Sequence, residues 1–79
     1  MADQNVTDMA NQLAEECLAV QRETGNERLF MEVASVLGAS SQTMEEAFVT
    51  AIRTRMATFQ GRAFMEKALA AHKAKAAQE

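Results

Sequence analysis

Residues 43–60, TMEEAFVTAIRTRMATFQ, decide the fold class. Met44, Phe48, Ile52, Met56 and Phe59 recur at steps of four and three, which sets all five on one side of a helix with 3.6 residues per turn. Ala47 and Ala51 stand beside that stripe and let a neighbouring helix come close. Thr43 with Glu46 three positions later fits a reciprocal capping box, in which each side chain satisfies an otherwise orphaned backbone N–H. The spacing predicts a helix over about 44–60.

Outward from this stretch the same period recurs. Val6, Met9, Leu13, Cys17 and Val20 form an apolar stripe that predicts a first helix over about 6–24, closed by Gly25. Asn26 is placed to cap a second, shorter helix over about 27–37, whose face is Leu29, Phe30, Val33, Val36 and Leu37 and whose end is Gly38. Beyond Gly61, Phe64, Met65, Ala68 and Leu69 keep helical spacing and predict a C-terminal helix over about 62–76. Gly61 either ends the third helix or is passed within it, since an interior glycine costs only ~1 kcal/mol relative to Ala. An unbroken rod over 43–76 would reach ~50 Å, more than a globule of this size covers, and would call for a partner chain. The last ten residues, AAHKAKAAQE, favour helix but carry no large apolar group to dock them, so fraying is expected.

The whole chain of 79 residues reads as one all-α domain, 1–79: a small bundle of three principal helices plus a C-terminal helix or helical extension. Its core is thin, because 16 of the 38 hydrophobic residues are Ala. One cysteine forms no internal disulfide, and one histidine builds no metal site alone, so no staple supplements that core. Self-association is the remaining ordinary source of extra burial, and a homodimer is accordingly an expectation.

Charge is unevenly spread. Residues 1–50 carry nine acids against Arg22 and Arg28; residues 51–79 carry Arg53, Arg55, Arg62, Lys67, Lys73 and Lys75 against Glu66 and Glu79. Few of these groups have an opposite charge four residues away, Arg28 with Glu32 and Arg62 with Glu66 being examples. Attraction therefore acts between helices: either acidic and basic helices lie side by side in one chain, or one chain's basic face meets another's acidic face.

The FMEVASVLGASSQTMEEAFV segment, residues 30–49, resembles the helix-turn-helix element of phage-type repressors over about a quarter of the chain. Ala34 stands where the helices approach, Leu37 precedes Gly38 in the turn, and Met44 and Ala47 face inward. The resemblance implies that Ser40, Ser41, Gln42, Glu45 and Glu46 face a DNA groove, with Arg53 and Arg55 near the backbone. Two adjacent glutamates and a pI near 5.1 oppose binding to a polyanion. The same turn geometry also serves helix packing alone, and DNA binding is the alternative reading.

Site chemistry is sparse. Cys17 lies on an apolar stripe 55 positions from His72 and reads as a small buried hydrophobe. Glu15 with Glu16, and Glu45 with Glu46, point about 100° apart on a helix and share no site. Three scattered glycines build no phosphate loop, and without Trp or Tyr there is no evident platform for stacking bases. The expectations are no enzymatic activity, no cofactor, no metal, no small-molecule substrate and no membrane segment; a cytoplasmic location is expected from the missing leader-like run in residues 1–7, with which the lone thiol agrees. Met31 and Met65 are expected at the surface. Phe64, Met65 and Leu69 are the candidate contact surface for a protein partner or a second copy, unless that face folds back over the first helix. Function then reads as that of a small interaction or regulatory module.

Overall fold

Gly25 does what its position demands: at φ 74° it takes the left-handed conformation and returns its N–H to the carbonyl of Gln21 at 2.8 Å. In the computed structural model, which describes residues 3–78, this closes α1 (Gln4–Thr24). Asp3 opens the helix by accepting the Val6 N–H at 2.8 Å, so the helix begins two residues earlier than the apolar stripe suggests. Residues 1, 2 and 79 lie outside the described part of the chain.

The second helix, α2 (Leu29–Ser40), starts later and ends later than its hydrophobic spacing indicates. Asn26 does not cap it directly. Its side-chain oxygen accepts the Arg28 N–H at 3.1 Å and forms a turn ahead of the helix, while the N–H of Phe30 is satisfied by the Gln21 side chain of α1 at 2.9 Å. Gly38 does not end α2. Gly25 alone among the described residues has positive φ, and the helix passes through Gly38 to Ser40. The absent side chain matters there for space instead: a Cβ would come within 2.6 Å of the Glu45 carboxylate.

Ser41, in extended conformation, is the only break before α3 (Gln42–Ala77). Its hydroxyl accepts the Met44 N–H at 3.1 Å, so the cap is Ser41 and the Thr43–Glu46 box is not the device used. Helix α3 continues through Gly61 without interruption for 36 residues. The separate fourth helix thus merges into α3, and the helix persists to Ala77 where fraying was expected. Its Ala-rich composition sustains it, Ala having the best helix propensity of all residues.

The packing core is small and asymmetric. Ala10, Ala14 and Cys17 of α1, Ala34 of α2, and Phe48, Ala51 and Ile52 of α3 are buried, with Leu13, Leu18, Leu29, Phe30, Val33, Leu37 and Val49 packed partly against them. Alanines hold the centre because they let the helix backbones approach, which turns α1 so that Met9 and Val20 come to the surface, against the expectation that both are core. Thr7 lines one cleft with Thr43 and Ala47, and Arg22 lines another with Phe59, so α1 and α3 run in the same direction. Phe30 and Ala34 face Met56 and Val49, which makes α2 the antiparallel return between them.

Helix α1 has 21 residues and α3 has 36, so α3 outruns its companions. The buried stripe stops at Ile52, and Met56 and Phe59, which continue it in register, are exposed because α1 and α2 end beside them. From residue 56 to residue 78 every side chain is exposed. The radius of gyration is 17.1 Å with a long dimension of 60 Å, where a compact chain of this length has a radius of roughly 12 Å.

Candidate docking surface

The projecting half of α3 is held out by three local devices. Ser41 sets where the helix starts, Phe48 and Ile52 anchor its first turns with no exposed surface, and Arg55 ties it to α1 by donating to the Asn11 side chain at 3.0 Å while also donating to the Ala51 carbonyl of its own helix at 3.2 Å. Thr54 and Thr58 each return a hydroxyl proton to the carbonyl four residues back, a bond that occupies the side chain on its own helix.

Phe64, Met65 and Leu69 all lie on this half, at 74%, 64% and 52% exposure. The reading that folds this face back over the first helix is not what the chain does. Met65 and Leu69 are one turn apart and share a side, together with Arg62 and His72; Phe64 is turned about 100° from Met65, so the three residues do not form one stripe. Around them stand Arg62, Lys67, Lys73 and Lys75 with Glu66 as the acid, all exposed. A surface both apolar and basic therefore projects beyond a body that holds the acids Asp3, Asp8, Glu15, Glu16, Glu23, Glu27, Glu32, Glu45 and Glu46.

Other exposed apolar groups escaped the sequence reading. Val36 is 71% exposed although it falls within the apolar run of α2, and Phe59 is 61% exposed although it is in register with the core. The available signal for Phe59 is length: a helix of about six turns cannot accompany one of ten. Met31 is exposed as its off-face position suggests.

The residues proposed for DNA contact are not gathered. Ser40, Ser41 and Gln42 sit at the α2–α3 junction, whereas Arg53 and Arg55 are about three to four turns away and project to different sides of α3. Arg53 lines a shallow depression with Glu45 and Glu46, and Arg55 is engaged with Asn11. Gly38 being helical, the left-handed turn expected from the repressor-like element is replaced by the extended Ser41.

The remaining clefts hold little chemistry. The polar one between α1 and α3, about 440 Å³, is lined by Thr7, Asn11, Thr43, Glu46, Thr50, Thr54 and Arg55, and its Thr54 hydroxyl and Arg55 guanidinium already have partners. Cys17 is buried, and burial raises its thiol pKa, the direction that leaves it protonated and a poor nucleophile. Among the described residues no three His, Cys, Asp or Glu side chains gather as a metal cage requires, and no helix is long and apolar enough to cross a membrane. Comparison with family models, curated proteins and solved structures finds no match for this chain.

Proposed function

We propose that this chain is a non-enzymatic helical interaction module whose binding element is the second half of α3. One observation carries the reading: beyond Phe59, which lines a cleft with Arg22 of α1, residues 60–78 run without a neighbouring helix, and Phe59, Phe64, Met65 and Leu69 are exposed. Exposed apolar groups scattered singly need no explanation, but these four fall within eleven residues of one helix, with Met65 and Leu69 on a shared side, and together expose more apolar surface than isolated groups do. Arg and Lys between them add charge that speeds encounter with an acidic partner and rejects a basic one. The body made by α1, α2 and the first half of α3 then serves as the anchor that keeps the rod extended.

A photo-crosslinking side chain placed at Met65 tests the reading in cells producing the protein. Capture of a protein, the same chain included, from position 65 but not from the body position Ala39 is the expected result. Equal or absent capture at both positions overturns it.

A further inference from the structure

We propose that the cleft between α2 and the first half of α3 binds a small amphipathic carboxylate: an aliphatic chain lies in the cleft and Arg53 holds its anionic head. The site belongs to the body of the chain and stands apart from the docking half of α3. It holds its ligand without converting it, because no nucleophile or base lines the cleft.

The cleft encloses about 400 Å³ and is lined by Phe30, Met31, Ala34, Val49, Arg53 and Met56. All but Arg53 are apolar, and a volume of this size falls within the range in which small ligands are held. Ala34 is buried, Phe30 and Val49 are half-buried, and Met31 and Met56 are exposed. The small Ala34 side chain leaves the space between the helices. Methionine is flexible and polarizable, so Met31 and Met56 adapt to what enters, and covering their apolar surface is favourable. Val49 and Met56 are two turns apart on α3, which gives the apolar floor a length of about 10 Å. That length suits about eight carbons of an extended chain with bonds of ~1.5 Å.

Charge selects the head group. Arg55 is engaged by Asn11 and the Ala51 carbonyl, whereas Arg53 is exposed and donates no hydrogen bond among the described residues. Glu45 and Glu46 share the depression on the other side of Arg53, about two turns back along α3, and the Glu45 carboxylate lies over Gly38 of α2. No acidic side chain lines the apolar cleft itself. A guanidinium offers a carboxylate two parallel N–H bonds, a match that an uncharged hydroxyl does not make. Arg53 therefore recognises the anion, and the five apolar side chains recognise the tail.

Methionine methyl resonances report the site, since Met31 and Met56 line it while Met9, Met44 and Met65 do not. The probes are octanoate and octanol, titrated into the full chain with helicity followed by circular dichroism. The expected result is saturable shifts at Met31 and Met56 with a dissociation constant of about 1 mM or tighter, as a ligand of about ten non-hydrogen atoms permits. Hexanoate, shorter by two methylenes, binds about tenfold more weakly. Arg53→Gln weakens octanoate about fivefold and leaves octanol within about twofold. Met31→Asp, at an exposed position, weakens octanoate about tenfold without loss of helix, whereas Met65→Asp changes it by less than about twofold. Absence of saturable shifts at Met31 and Met56 overturns the proposal, as do equal shifts at Met9 and Met65, which mark general adsorption to apolar surface. Octanoate affinity indifferent to Arg53→Gln or to Met31→Asp overturns it as well. The docking half of α3 is tested separately, by the crosslink at position 65.

Discussion

The side-chain oxygen of Gln21 in α1 accepts the backbone N–H of Phe30 in α2 at 2.9 Å, so one helix supplies the N-terminal cap of the next. Ordinarily that role falls to a residue just before the helix, but Arg28 offers no side-chain bond and Asn26 is used in the turn. The turn between α1 and α2 is thereby fixed by a tertiary contact. Gln21→Ala leaves a partly buried N–H unpaired and is expected to lower stability by about 1 kcal/mol. Gln21→Glu, which keeps an acceptor, should lose less. Urea unfolding at one fixed chain concentration measures both.

The three glycines separate by mechanism. Gly61→Ala adds a methyl to open space in a helix and should raise stability of the isolated chain by about 0.5–1 kcal/mol. Gly25→Ala forces a side chain into positive φ and should lower it by about 1 kcal/mol. Gly38→Ala gains the same helix propensity but must displace the Glu45 carboxylate, so its gain is smaller than that at Gly61. Thermal unfolding of the three variants is expected to give the order Gly61→Ala, Gly38→Ala, Gly25→Ala.

Ser41 is both the sole break between α2 and α3 and the cap of the longer helix. Ser41→Ala should cost about 1 kcal/mol, and Ser41→Asp should restore most of it, because a carboxylate also accepts at a helix start. Thr43→Ala, at the position that the sequence marks as the cap, should change stability by less than Ser41→Ala. Equal losses at the two positions would contradict the assignment.

Cys17 makes stability depend on pH at the alkaline end. Burial raises its folded pKa above the ordinary value of 9.0, so the folded state holds its proton longer than the unfolded chain. The stabilising contribution is fully present below pH 9 and is lost as pH climbs through the raised folded value. Urea midpoints should therefore fall above pH 9 in the wild type and fall less in Cys17→Ala. The folded thiol should also react with an alkylating reagent much more slowly than the thiol of the chain in urea.

Much of the architecture was legible in the residues, and the failures share one cause. Spacing of Met44, Phe48 and Ile52 located the third helix, and Gly25 located the end of the first, because periodicity and left-handed backbone are local properties. Gly38 reads as punctuation by the same logic, yet it is helical, and Gly61, open between an end and a passage, is passed within α3: nothing in a glycine's own neighbourhood says whether it serves conformation or space. Phe59, Met56, Met9 and Val20 carry the pattern of core residues but are exposed, since burial depends on where the neighbouring helices end and how their alanines turn them. The exposure of Phe64, Met65 and Leu69 follows from a segment with few other apolar groups to dock it. Their separation into two sides of α3 emerges only from the continuity of the helix through Gly61.

The proposed docking role depends on the extended course of α3, and a distance within one chain tests it. Spin labels at Gln42 and Ala76, with the labelled protein diluted in excess unlabelled chain, report that separation by dipolar spectroscopy. An unbroken helix between them predicts ~50 Å at 1.5 Å per residue, whereas a rod folded back at Gly61 gives less than ~30 Å and would contradict the account.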